Sequence, residues 1–84
     1  MMGKHQKTFT AIFANPVRTN VRWRDIEALM IHCGAQVIEA EGSRVLVSLN
    51  GVRAVFHRPH PKPDTDKGQL KSVRAFLTEA GVRL

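Results

Sequence analysis

One cysteine, Cys33, serves the whole chain of 84 residues, so no internal disulfide can form and no cysteine-rich zinc module can be assembled. Long apolar runs are missing as well. Nothing approaches the roughly 18–20 residues needed to cross a bilayer. The first stretch, MMGKHQKTFTAIFANP, has basic residues but only a short apolar group, broken at Asn15-Pro16. It lacks the continuous apolar region of a secretory signal, so the expected compartment is the cytoplasm and no membrane partner is expected. There is no internal repeat and no low-complexity tract. No glycine-rich phosphate loop occurs, and Gly42-Ser43 is not part of a glycine-x-serine-x-glycine elbow. Nucleotide-cofactor enzymes and elbow-type hydrolases find no support. His57 and His60, with Cys33 distant and no clustered carboxylates, make a poor zinc set, so neither metal nor cofactor is expected.

Acidic residues are the other scarcity. Asp plus Glu number 7 against 13 Lys plus Arg, a formal charge of +6. A small positive body attracts polyanions: nucleic acid, an acidic protein or an anionic surface. Hydrophobic residues make up 43% of the chain, enough for one globular domain. A domain this small buries only roughly 60–65% of its unfolded surface, so its stability margin is thin.

Residues 1–7 are polar and basic and are expected to be mobile. Phe9, Ile12 and Phe13 fall at i, i+3, i+4, which predicts a short helix capped by Thr8 and halted by Pro16. Its two phenylalanines would clip it to the body. Residues 1–21 thus read as an extension and residues 22–84 as the domain proper. Ile26, Leu29, Met30 and Cys33 repeat at helical spacing, which predicts a helix over Asp25–Cys33 with Trp23 stapled just before it and Gly34 as its stop. Strands are expected over Gln36–Glu39, Arg44–Leu49 and Val52–His57. Asn50-Gly51 between two apolar runs is the strongest short hairpin signal, because a type I′ turn needs positive φ at both positions.

That two-residue turn also sets the register. Leu49 with Val52, Val47 with Ala54 and Val45 with Phe56 share the core face. Ser48 with Arg53, Leu46 with Val55 and Arg44 with His57 share the other. Residues 58–67, RPHPKPDTDK, hold three prolines and read as a stiff basic loop. Asp66 and Gln69 suggest a capping box opening a final helix, whose apolar stripe is Leu70, Val73, Phe76, Leu77 and Ala80, with Gly81 as its end. Lys67, Lys71 and Arg74 fall on one exposed face of it. The predicted class is α+β: a three-stranded antiparallel sheet with helices on a single face, in the order α-β-β-β-α after a short N-terminal helix.

The chemistry-bearing residues gather around the end of the third strand. RNA carries its own nucleophile, the 2′-hydroxyl. Cleavage then needs a base for that proton, an acid for the leaving oxygen and cations for the charged phosphorane. His57 or His60, with Arg44 or Arg58, satisfies that requirement. Arg44, Arg53, Arg58, Lys62, Lys67, Lys71 and Arg74 are candidate phosphate contacts. The same cations serve a binding module with no chemistry, or an adaptor whose basic face meets only a protein.

Together these features resemble the HicA toxins of toxin–antitoxin pairs. The resemblance rests on Trp23-Arg24-Asp25-Ile26-Glu27, Gly42-Ser43, the Asn50-Gly51 hairpin, His60-Pro61 and Ala80-Gly81-Val82, and it spans about residues 22–82. It implies a fold like a double-stranded-RNA-binding domain, cleavage of mRNA without a cofactor, and neutralisation by a HicB-like antitoxin. One departure stands out. The family's catalytic histidine follows the Gly-Ser pair, where this chain has Arg44, Val45 and Leu46. His57, across the hairpin from Arg44, is the residue placed to take over that task.

Overall fold

A computed structural model describes residues 3–84; residues 1–2, part of the segment expected to be mobile, lie outside the described residues. The order is α1 (Lys4–Ile12), α2 (Trp23–His32), β1 (Gln36–Glu39), β2 (Arg44–Leu49), β3 (Val52–His57) and α3 (Lys67–Glu79). The three strands form one antiparallel sheet in the order β1-β2-β3. The helices cover one face of it. The architecture is the α+β class read from the sequence pattern. Among the described residues no helix is long and apolar enough to cross a membrane.

Every cross-strand pair expected of the hairpin is present, from Leu49 with Val52 at the turn to Arg44 with His57 at the far end. Asn50 at φ 51° and Gly51 at φ 82° supply the positive angles that a I′ turn demands. Alternation then sorts the faces. Val45, Val47, Leu49 and Phe56 are buried with Ile26, Leu29, Met30, Leu70, Val73 and Leu77 in one core. Trp23 and Phe76 each pack against the Phe56 ring, at centroid separations of 5.5 and 5.6 Å. Aromatic pairs at such separations add to plain area burial. The opposite face is open. Ile38 on β1, Leu46 on β2 and Val55 on β3 align across it, and Ile38 and Val55 are 48% and 59% exposed. The hairpin reading found Leu46 and Val55 there; Ile38 completes the apolar band because β1 joins β2 with Ile38 opposite Leu46.

Several local expectations are corrected. α1 starts at Lys4 with Gly3 as its N-cap, so Lys4–Lys7 are helical. Thr8 lies within the helix, buried, its hydroxyl donating to the Lys4 carbonyl (3.1 Å). A β-branched hydroxyl inside a helix satisfies itself on the preceding turn, which removes the need for it to cap. The clip is Ile12, fully buried, together with Phe9, which packs against the core, while Phe13 is 37% exposed with its ring tilted against that of Phe9 (4.7 Å). α2 begins at Trp23, which is helical and not a residue before the helix, and Cys33 is its C-cap. The capping box on α3 is half formed. Asp66 accepts from the Gln69 amide (2.8 Å), but the Gln69 side chain turns elsewhere.

Candidate nucleic-acid interface

The site is built at the end of β3. The Arg58 amide donates to the Ser43 carbonyl (2.8 Å), so the next pair inward, Arg44 with His57, is a non-hydrogen-bonded pair. At such a position the peptide groups point away from the partner strand. On an edge strand they would stay unpaired. Gln69 of α3 takes both: the His57 amide donates to Gln69 Oε1 (2.8 Å), and Gln69 Nε2 donates to the His57 carbonyl (2.6 Å). One primary amide thereby imitates a neighbouring strand. It ties the strand end to the first turn of α3 and fixes the backbone that carries His57.

Beyond His57 the chain enters the proline loop and folds back. The Trp23 amide donates to the Pro63 carbonyl (3.0 Å), and the Thr65 amide donates to the Val21 carbonyl (2.8 Å). Arg22 and Asp64 face each other in this short ladder. A cleft of about 570 Å³ results, lined by Ser43, His57, Arg58, Pro59, His60, Pro61, Lys62, Asp64, Asp66 and Gln69. Both histidines flank it, and both are exposed. Lys62 lies on the same rim. Asp64 and Asp66 add negative charge to the same lining. Among the described residues no cluster of three or more His, Cys, Asp or Glu side chains is arranged to hold a metal ion.

Arg58 lines the cleft but spends its guanidinium on the protein's own carboxylates. Its Nε and Nη2 reach the two oxygens of Glu27 (3.1 and 3.0 Å), and Nη1 reaches Glu39 Oε1 (2.7 Å). The hydrogen bonds to Glu27 and then to Glu39 push its pKa further above the usual guanidinium value. Glu27 also accepts from the Trp23 indole (2.8 Å). Arg58 therefore joins α2, β1 and the cleft loop. Arg74 is similarly occupied. It is half-buried, its Nε donates to the Ile12 carbonyl (2.5 Å), and its Nη2 donates to the Ala14 carbonyl. Helical spacing put Arg74 in line with Lys67 and Lys71 on a solvated face; the docking of α1 against that flank turns it inward instead.

The remaining cations stay in solvent. Arg44 is exposed opposite His57, with Nε near the Glu41 carbonyl (3.4 Å). Arg53 is exposed on the open sheet face beside the hairpin turn, opposite Ser48. Lys67 and Lys71 are exposed one turn apart on α3, and Lys67 borders a separate hollow formed by residues 14–20. The structure brings His57, His60 and Lys62 to one cleft with Arg44 at its strand-side margin, and leaves Arg53 and Lys71 outside it. Sequence reasoning missed Gln69 as the holder of His57. Its only signal was a position three residues after a capping aspartate.

A small basic α+β domain with an open sheet face and a two-histidine cleft is the class these features define. The family described as "HicA toxin of bacterial toxin-antitoxin" matches residues 23–82. The chain belongs to the HicA toxin family. Neither the curated proteins nor the solved structures compared with it provide a match.

Proposed function

We propose that this HicA-family toxin binds and cleaves mRNA at the cleft beside β3. The observation that carries the reading is the convergence of His57 and His60 on one open cleft with Lys62 on its rim. His57 takes the proton of a ribose 2′-hydroxyl, and the freed oxygen attacks the adjacent phosphorus. His60 gives a proton to the departing 5′-oxygen. The products are a 2′,3′-cyclic phosphate and a 5′-hydroxyl. Lys62 and Arg44 offset the charge that builds on the phosphorane oxygens. Arg53 and Lys71 hold neighbouring phosphates, while Arg58 and Arg74 keep the loop and α1 in place. No metal is required, because the nucleophile belongs to the substrate; activity persists in a chelator. The protein acts in the cytoplasm.

An acidic, HicB-like antitoxin is the partner that fits the open sheet face. The open-face band of exposed Ile38 and Val55 with half-buried Leu46 between them offers an apolar centre, and Arg44 and Arg53 flank it with positive charge. Such complementarity speeds encounter as well as holding the complex. Expression of the chain should arrest growth, and co-expression of an acidic, HicB-like antitoxin should relieve it.

A second reading, a nucleic-acid-binding module without chemistry, is favoured by Arg44 standing directly after Gly42-Ser43 in place of a histidine. Cleavage assays on mRNA separate the two. Loss of product in His57→Ala and in His60→Ala, with RNA binding retained, supports the nuclease. Equal, robust cleavage by wild type and His57→Ala removes His57 from the mechanism. RNA binding with a steep salt dependence and no product in the wild type favours the module.

A further inference from the structure

A second hollow, of about 500 Å³, lies beside α3 and is lined by residues 14–20 and Lys67. Residues 14–20 precede the family match, which spans residues 23–82, while Lys67 lies within it. Its polar side chains are Asn15, Arg18, Thr19, Asn20 and Lys67, all exposed. Neither Arg18 nor Lys67 pairs with a carboxylate among the described residues; the ion pairs there are those of Arg58. The loop is not a loose tail. Arg74 grips the Ile12 and Ala14 carbonyls at one end. At the other, the Val21 carbonyl accepts from Thr65 and the Trp23 amide donates to Pro63. Both ends are therefore tied to the elements that frame the histidine cleft. Asp66 lines the histidine cleft and Lys67, the next residue, lines this second hollow.

We propose that the 14–20 loop and Lys67 form a second subsite that holds the backbone of single-stranded RNA running out of the histidine cleft. The ligand class is an RNA phosphodiester. Arg18 and Lys67 each take a phosphate, and the Asn15 and Asn20 amides face the sugar and base edges. The inference rests on the RNA reading above and extends it to a segment that precedes the family's own span. The arginine of the loop and the lysine of α3 come from positions 49 residues apart (67 minus 18), so only the docked loop creates this pairing of free cations. Its consequence is that RNA affinity depends on strand length beyond what the histidine cleft can fill.

The test uses the full chain and fluorescent 2′-O-methyl RNA, which lacks the nucleophile and cannot be cleaved. Strands of about 4 and about 16 nucleotides bracket the span of single-strand sites. Anisotropy titrations at several salt concentrations give Kd and its salt slope. Wild type should favour the longer strand. The double variant Arg18→Ala with Lys67→Ala should lose most of that preference, and its slope should shrink by about 1.4, near 0.7 for each phosphate released. Arg83→Ala removes one positive charge beyond the far end of α3 and should leave the slope on the wild-type value. Circular dichroism of each variant confirms the fold. Wild-type binding with an unchanged slope and length preference in the double variant overturns the subsite while leaving the RNA reading intact. Wild-type affinity no better than that of an unrelated basic protein overturns both.

Discussion

Glu27 sits where three elements meet, and removing it should loosen the histidine cleft. In Glu27→Ala the Trp23 indole N–H, on a side chain only 4% exposed, loses its acceptor. An unpaired buried donor costs about 1–3 kcal/mol. Arg58 loses a two-pronged partner at the same time. The Arg58 and Glu27 side chains are 36% and 19% exposed, so solvent screens this pair and its loss adds only about 1 kcal/mol. The sum is about 3 kcal/mol, which in a domain of this size lowers Tm by about 12–24 °C. Glu39, Arg58's other partner, is 71% exposed, and Glu39→Ala should cost less than about 0.5 kcal/mol. Glu27→Gln keeps an acceptor for the indole and should fall between. Thermal unfolding followed by far-UV circular dichroism reads the stability. Trp23, the sole tryptophan, reports the local change by its fluorescence. If Glu27→Ala melts no lower than Glu39→Ala, the reasoning that Glu27 organises this corner is refuted.

Two further outcomes follow from the same geometry. The Asn50 amide donates to the Ala80 carbonyl at the end of α3 (2.8 Å), so Asn50→Asp keeps a residue tolerant of positive φ but sets a carboxylate against a carbonyl and the negative end of a helix. Urea unfolding should show a loss of about 1–2 kcal/mol, larger than for Asn50→Gly, which keeps the turn and loses only the bond; an Asp variant as stable as the Gly variant would count against the contact. Burial raises the Cys33 thiol pKa. The folded state keeps its proton to higher pH than the unfolded chain, so this contribution is whole below the unfolded thiol's pKa and is lost as pH rises through the folded one. Alkylation rates against pH should therefore have a higher midpoint for the native protein than for the urea-unfolded chain, and coincident midpoints would contradict the burial effect.

The hairpin was legible because its signals are local. A turn dipeptide that demands positive φ and a two-residue alternation together leave one register, and the Arg44–His57 pairing followed from counting. The apolar stripes of α2 and α3, and Asp66 as a cap, were legible for the same reason. The onset of α1 was not. Its polar first turn carries no periodic signal, and Gly3 caps it without a side chain.

The sequence by itself therefore determined the class of fold, the faces of the sheet, and the gathering of histidines near the end of β3, since each depends on neighbours a few residues apart. Tertiary structure alone decided which cations are free. Arg58 meets Glu27 31 residues away, Arg74 meets Ile12 62 residues away, and Gln69 meets His57 12 residues away. Such partners are chosen by how helices settle on the sheet. An arginine's spacing along its own helix carries no record of the carbonyls or carboxylates that packing will bring to it.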